Sequence, residues 1–226
     1  MTKTRFRQLR WIAGLAIAVA AWPALGSKAA LDQQSFLHPE QRHENIGELV
    51  TQFIEKQHYN SIAVDDELSS RVLDLFIDSL DRNRMYLLKG DVEFFDTYRY
   101  RLDDMIRSQP LDPVFDMHAL YQTRVRERLN FALEQLETEP DFLVDESYQF
   151  DRTEEPWAES SAELDEIWRK RVKNDALNLA LEGESWEKAQ EVLTKRYKGY
   201  LRRLDQVNND DVFERFMNAF AHTLDP

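Results

Sequence analysis

The chain of 226 residues contains no cysteine and only six glycines. Without thiols there can be no disulfide, no cysteine nucleophile and no thiolate zinc site. A chain of this length can instead bury enough apolar surface to hold itself together. Gly14 and Gly26 fall in the N-terminal segment, which leaves Gly47, Gly90, Gly183 and Gly199, each isolated. Phosphate cradles and oxyanion turns use clustered glycine, and β-rich folds spend more of it on turns, so both are disfavoured. Positive charge is scarce as well, with 29 Lys and Arg against 42 Asp and Glu. That balance argues against binding a phosphate backbone or an anionic lipid surface. No nucleic-acid partner is expected.

The N-terminus has a different composition. Lys3, Arg5, Arg7 and Arg10 precede the apolar run 11–21, and Pro23, Ala24, Leu25 and Gly26 add a helix breaker and small residues. This is the pattern of a signal peptide over 1–26, cleaved after Gly26 or, as second choice, after Ala29. The run is shorter than the roughly 20 residues that a membrane span needs. No adjacent arginine pair marks a twin-arginine signal and no cysteine could carry a lipid, so export to a soluble compartment is expected. The signal takes four basic groups and no acids, so 29 less 4 leaves 25 bases against 42 acids, a net charge of −17. Such a charge favours solubility first and cationic partners second.

Residues 27–226 read as a single all-α domain of about seven helices, irregular rather than repetitive. Ile46, Leu49, Val50, Phe53 and Ile54 recur at helical spacing and predict an inward face for a helix over about 40–58. Asp65 or Asp66 caps a second helix to about 80, facing inward through Leu68, Val72, Leu75, Phe76 and Leu80. Asp91 caps a third that continues through Phe94, Phe95, Tyr98, Leu102, Met105 and Ile106. Asp112-Pro113 reads as a cap followed by proline at the first helical position, opening a long helix to about 137. Pro140, Pro156 and acidic residues interrupt 138–159, yet Phe142, Leu143, Tyr148, Phe150 and Trp157 there call for burial, which predicts an ordered loop. Ser160 and Glu163 form a capping-box pair for a helix to about 182, ended by Gly183 as a left-handed cap. Ser185 opens the next helix to about 205, and Asp210 or Asp211 opens the last. Trp168, on the stripe Leu164, Ile167, Trp168, Val172, is expected to anchor the core.

Chemical motifs are weak. Ser185 and Lys188 have the spacing of a serine–lysine pair, but without the companion motifs Ser185 reads as a helix cap. His38 and His43 are five residues apart and do not share a helical face. His58 and His118 accompany apolar stripes, and His222 is expected to be structural or solvent-facing. The pairs Asp65-Asp66, Asp103-Asp104 and Asp210-Asp211 cannot share a metal, because neighbours on a helix diverge. Lys195, Arg196, Lys198, Arg202 and Arg203 form a basic cluster. A solvated face with internal ion pairs explains it first, and docking of a following acidic segment second. No residue is put forward as catalytic, cofactor-binding or metal-ligating, and no cofactor is expected.

Three stretches nevertheless carry a resemblance: Asp81 to Phe95, Tyr148 to Trp168 and Thr194 to Pro226. Glu155-Pro156-Trp157, Glu163 to Trp168 and Val212 to Pro226 are their most distinctive parts. In order and distance they resemble the N-terminal helical region of the tail-specific, or carboxy-terminal-processing, proteases of bacterial envelopes, over about Glu44 to Pro226. The resemblance implies a periplasmic serine endopeptidase. A PDZ domain would recognise unstructured apolar C-termini of protein substrates and a Ser–Lys domain would cleave them, with an envelope adaptor as a possible partner. Neither domain is present in these residues, so the chain itself is expected to be inactive and no catalytic residue carries over. The alternative is a stand-alone exported binding or adaptor module. If the last helix serves as a docking platform, its apolar set from Val212 to Phe220 is expected to be partly uncovered. N-terminal sequencing of the exported form should read from Ser27, or from Ala30 for the second cleavage site, and an intact Met1 in the envelope fraction would refute the signal peptide.

Overall fold

Side chains cap the helices that open at Asp66, Ser161, Trp186 and Asn209. The computed structural model describes residues 37–57, 63–108 and 110–224. The expected signal peptide and His58 therefore lie outside the described residues. Among the described residues eight helices succeed one another: α1 (Gln41–Gln57), α2 (Asp66–Asp81), α3 (Lys89–Asp96), α4 (Leu102–Arg107), α5 (Asp112–Gln135), α6 (Ser161–Leu181), α7 (Trp186–Asp205) and α8 (Asn209–His222). Among the described residues the only extended pairing is an isolated bridge between Leu88 and Ala158. The all-α class is as expected, with one more helix than the periodicity indicates.

The extra helix comes from a break. The expected third helix stops at Asp96 and resumes at Leu102. The carbonyl of Arg99 accepts the Ser69 hydroxyl at 2.8 Å, and that hydroxyl accepts the Leu102 amide at 2.9 Å. The Arg99 guanidinium meanwhile reaches Asp96 at 2.6 Å and Asp74 at 2.8 Å. A side chain about thirty residues earlier thus replaces the missing turn.

Several caps shift. Asp65 caps α2 as expected, accepting the Leu68 amide at 3.1 Å. Ser160 accepts the Glu163 amide at 3.3 Å, but the Glu163 carboxylate reaches back to Glu159 rather than to Ser160, at 2.9 Å. Gly183 adopts φ 95° and closes α6 with the Gly183 amide on Ala180 and the Glu184 amide on Leu179, the left-handed ending expected. α3 starts ahead of Asp91, whose carboxylate accepts the Leu88 amide at 2.9 Å. α5 starts one residue early, with Leu111 at the cap and Asp112 already helical. α8 is capped by Asn208, not by an aspartate. Asn208 accepts the Asp210 and Asp211 amides while Asp211 accepts the Asn208 amide at 2.8 Å. The reciprocal arrangement satisfies more amides than either aspartate could alone.

Two hydrophobic cores form. One gathers α1 to α4, the first half of α5 and α8, around Leu68, Phe76, Phe95, Phe115, Phe216 and Phe220. The other gathers the second half of α5 with α6 and α7, around Met85, Leu129, Trp168, Val172, Leu193 and Tyr197. α5 runs through both. Val212, Phe213, Phe216 and Phe220 are buried, so the expected uncovered face on α8 is not there. That face packs on α2, with α5 and α1 beside it.

The uncovered face is on α1 instead. Ile54 is buried and Val50 partly so, but Ile46, Leu49 and Phe53 point outward, Leu49 at 65% and Phe53 at 59% exposure. His43, Gly47 and Thr51 are buried in their place. Gly47 permits this, since a Cβ there would lie 3.0 Å from the Ile106 carbonyl oxygen. Of the five apolar loop residues expected to be buried, Phe142, Tyr148 and Trp157 are half-buried, whereas Leu143 and Phe150 are exposed.

Trp168 is fully buried, and its indole N–H donates to the Met85 carbonyl at 2.6 Å. Trp168→Ala therefore removes a core ring and orphans a buried carbonyl. Equilibrium urea unfolding should show a loss of about 3–5 kcal/mol. A loss below about 1 kcal/mol would mean that the second core does not depend on this ring.

Candidate functional site

The first two of the stretches that carry the resemblance meet at one turn, and the third packs beside it on Trp168 and Ser79. Asp81 ends α2 with its carboxylate buried, and that carboxylate accepts the amides of Met85, Tyr86 and Leu87, each at 2.8 Å. The turn requires Arg84 in the left-handed region at φ 51°, an unusual conformation for a residue with a side chain. Its guanidinium donates to the Glu155 carbonyl and lies 5.3 Å over the Trp157 ring. Asn83 clamps the same loop from both sides of its amide, donating to the Phe150 carbonyl at 2.8 Å and accepting the Arg152 amide at 2.9 Å. The Lys89 amide donates to the Ala158 carbonyl at 2.8 Å. Trp168 closes on Met85 from α6, and Tyr197 of α7 packs on Trp168 with 6.4 Å between ring centres. From α8, Arg215 donates to the Ser79 carbonyl at 2.5 Å.

Burial sets the electrostatics at Asp81, and pairing sets them at Arg124 and Glu146. Desolvation pushes the Asp81 carboxyl up to about 6, against the pull of its three amide donors. Asp91 forms a two-point pair with Arg124, at 2.8 and 3.0 Å, tying α3 to α5. That pairing raises the already basic guanidinium further. The loop from 141 is held by Glu146, which takes Arg169 and Lys173 and is lowered to about 2 by those donors. Lys173 also donates to the Val144 carbonyl at 2.9 Å. Tyr197 donates to Asp175 at 2.8 Å, and its phenol is raised by burial and by that carboxylate.

The residues weighed for chemistry lie apart. Ser185 caps α7, accepting the Lys188 amide at 3.4 Å, while the Lys188 ammonium pairs with Glu191 at 2.9 Å. The serine hydroxyl thus meets the backbone of Lys188, while the lysine ammonium is paired elsewhere. The His38 amide donates to Asn209, and His222 is exposed with Nδ1 2.6 Å from the Asn218 carbonyl. His43 is buried, its ring stacked 4.7 Å from that of Phe213. Its Nδ1 accepts the Glu40 amide, so Nε2 carries the proton that it donates to Asp210 at 2.8 Å. The spacing of the histidines gives no hint of this bond, which spans the domain from α1 to α8. Asp103 is buried near Arg107 at 3.6 Å, and its neighbour Asp104 belongs to the same first turn of α4. In the basic cluster, Arg196 lies 3.7 Å from Asp175 and Arg203 covers the Tyr200 ring at 4.6 Å. Lys195, Lys198 and Arg202 are exposed. A turn from Asp81 is legible in the sequence, but the burial of its carboxylate and its links to Trp157 and Trp168 are not.

The sequence model of the tail specific protease N-terminal domain matches residues 50–226, which takes in every one of these contacts except those made by His38, Glu40 and His43. The chain belongs to this family. A tail-specific protease of Haemophilus influenzae is 34% identical over 172 residues, covering 76% of this chain and 25% of that protein. The chain therefore spans about a quarter of the length of the relative. Among the described residues of this tail-specific protease domain, no helix is long and apolar enough to cross a membrane.

His118 gives the domain a pH dependence. It is buried on α5 against Tyr121, its Nδ1 meets no described hydrogen-bond partner, and Arg215 and Asp211 are the charges that face it. Burial and then Arg215 push it down to about 4, with Asp211 opposing. A lowered histidine favours the fold fully above its unfolded value near 6.5, and this is lost as pH falls through about 4. Asp81, being raised, works in the opposite sense, gaining below about 6. His118→Leu separates the two contributions, because it leaves Asp81 in place. Between pH 7.5 and pH 5.0 the wild type should lose about 2 kcal/mol relative to this variant in urea unfolding. Parallel stability curves would show that His118 protonates freely in the folded state.

Proposed function

We propose that this domain is the N-terminal helical platform of a periplasmic tail-specific Ser–Lys protease that degrades or processes proteins from unstructured, apolar C-termini. PDZ recognition and catalysis are assigned to parts of the protease outside these residues. The observation that carries the proposal is the match of the domain family across 50–226, together with the meeting of the first two resembling stretches at the Asp81 turn and the packing of the third on Trp168. The signal-like N-terminus supports export to the periplasm. The Ser185 hydroxyl caps the helix while the Lys188 ammonium pairs with Glu191, which supports a non-catalytic role for this domain.

In this role the domain positions a chamber wall or a partner surface, and chemistry happens elsewhere. Residues 27–226 alone should not cleave an unstructured peptide with an apolar C-terminus. Turnover that disappears in Ser185→Ala would overturn the assignment of Ser185 as a cap. In the complete protease, removal of residues 37–224 should abolish degradation of a protein bearing such a tail. Degradation at an undiminished rate would reject the platform role.

A further inference from the structure

α1 is built inside out. Its buried side holds Ile54 but is otherwise small or polar, through His43, Gly47 and Thr51, while Ile46, Leu49 and Phe53, three of its five apolar residues, face away from the domain. At 100° per residue those three fall within about 60° of one another, so they form one stripe. Asn45, Gln52 and Lys56 border it, and Glu44, Glu48 and Glu55 lie round the helix from it. An acid-free apolar face is notable in a chain with 42 acidic residues. The helix does not need this stripe for its own attachment. Ile54 packs in the first core, His43 bonds Asp210 at 2.8 Å, and Arg107 bonds Glu55 at 2.8 Å.

We propose that this stripe is the surface on which the remainder of the same protease docks, presenting an apolar face of its own. The inference rests on the family role proposed above. Area, length and charge together select this occupant. At 44%, 65% and 59% exposure the three side chains offer roughly 300 Å², so a symmetric pair would bury about 600 Å², well under the ~1,200 Å² of a specific dimer. The relative has about three quarters of its length beyond the aligned part. A tethered body of that kind meets the stripe at an effective concentration in the millimolar range, where a small contact suffices. The chain carries a net −13, which opposes both a second copy and an anionic membrane.

The test is maleimide labelling of Leu49→Cys, read by peptide mass spectrometry, in the 226-residue chain and in the complete protease. Glu48→Cys, turned about 100° away, serves as control. Circular dichroism confirms the fold of each variant. The thiol of Leu49→Cys should label rapidly in the 226-residue chain. In the complete protease it should label at least about ten-fold more slowly, at every dilution and without lipid, while Glu48→Cys labels alike in both. Equal rates for Leu49→Cys in the two proteins overturn the proposal. So does slow labelling already present in the 226-residue chain, which would mean that its own N-terminal residues or a second copy cover the stripe. Protection that fades on dilution assigns the stripe to a second copy, and protection that needs anionic vesicles assigns it to a membrane; both also overturn it. Cleavage of a tailed peptide by the same complete chain separates the two readings. An active protease with an unprotected thiol in Leu49→Cys rejects the docking surface alone, whereas loss of the family activity rejects the role on which it rests.

Discussion

The buried carboxylate of Asp81 is the constraint on which the rest of the domain depends. It ends α2 inside the first core and fixes the three amides that carry Met85 into the second. One oxygen serves Met85 and the other serves Tyr86 and Leu87. An amide in its place would set an N–H₂ group against a backbone N–H, so only a carboxylate can satisfy all three donors. Holding it away from water has a cost, visible in the rise to about 6, and the three donors offset part of it. The same turn then orders the later part of the chain. Its carbonyl at Met85 receives Trp168, while Asn83 and Arg84 receive the loop between α5 and α6.

Two cores joined by one helix need stiff joints, and the strongest polar contacts occupy those positions. Asp91 and Arg124 are both shielded and meet at two points, so this pair resists separation of α3 from α5. Glu146 with Lys173 and Arg169 does the same for the loop before α6, in a site where the carboxylate is largely shielded. The more numerous pairs on open faces, such as Lys188 with Glu191, are screened by solvent and decide nothing about the architecture. His43 with Asp210 lies between these cases: the imidazole is buried and the carboxylate is half-exposed, so it orients α1 on α8 more than it stabilises either.

The helical architecture is legible in the sequence because its punctuation is local. Ser160, Ser185, Gly183 and Asp65 act through amides within a few residues of themselves, and each does what its type predicts. Sequence reasoning fails where a distant or competing group decides. Asn208 displaces Asp210 as a cap because it can join a reciprocal pair with Asp211. The break after Asp96 depends on Ser69, which no window along the third helix contains. Asp81 looks like one polar residue among several in a turn, since its meaning lies in burial that only the assembled cores create. Leu143 and Phe150 are expected inside because aromatic and aliphatic residues usually are, yet the loop is held by Lys173, Glu146 and Asn83 and has no need of them. As for a site, the local chemistry of Ser185 is readable, whereas the convergence at Asp81 is not.

The inversion of α1 reflects a different competition. Periodicity weighs a helix face by its hydrophobicity, and by that measure Ile46, Leu49 and Phe53 should be inside. Burial of His43, Gly47 and Thr51 instead is possible because α4 comes close enough to touch the backbone at Gly47, and because His43 and Thr51 both find polar partners. A sequence shaped only for the stability of this domain would gain by exchanging the two faces. Local rules are broken in this way where a surface has a second use. The acidity of the chain makes the arrangement tolerable: mutual repulsion between copies keeps an apolar stripe of this size from driving association. Negative charge and exposed apolar surface therefore act together, the first suppressing contacts between molecules and the second leaving a contact available to whatever is attached to the same chain.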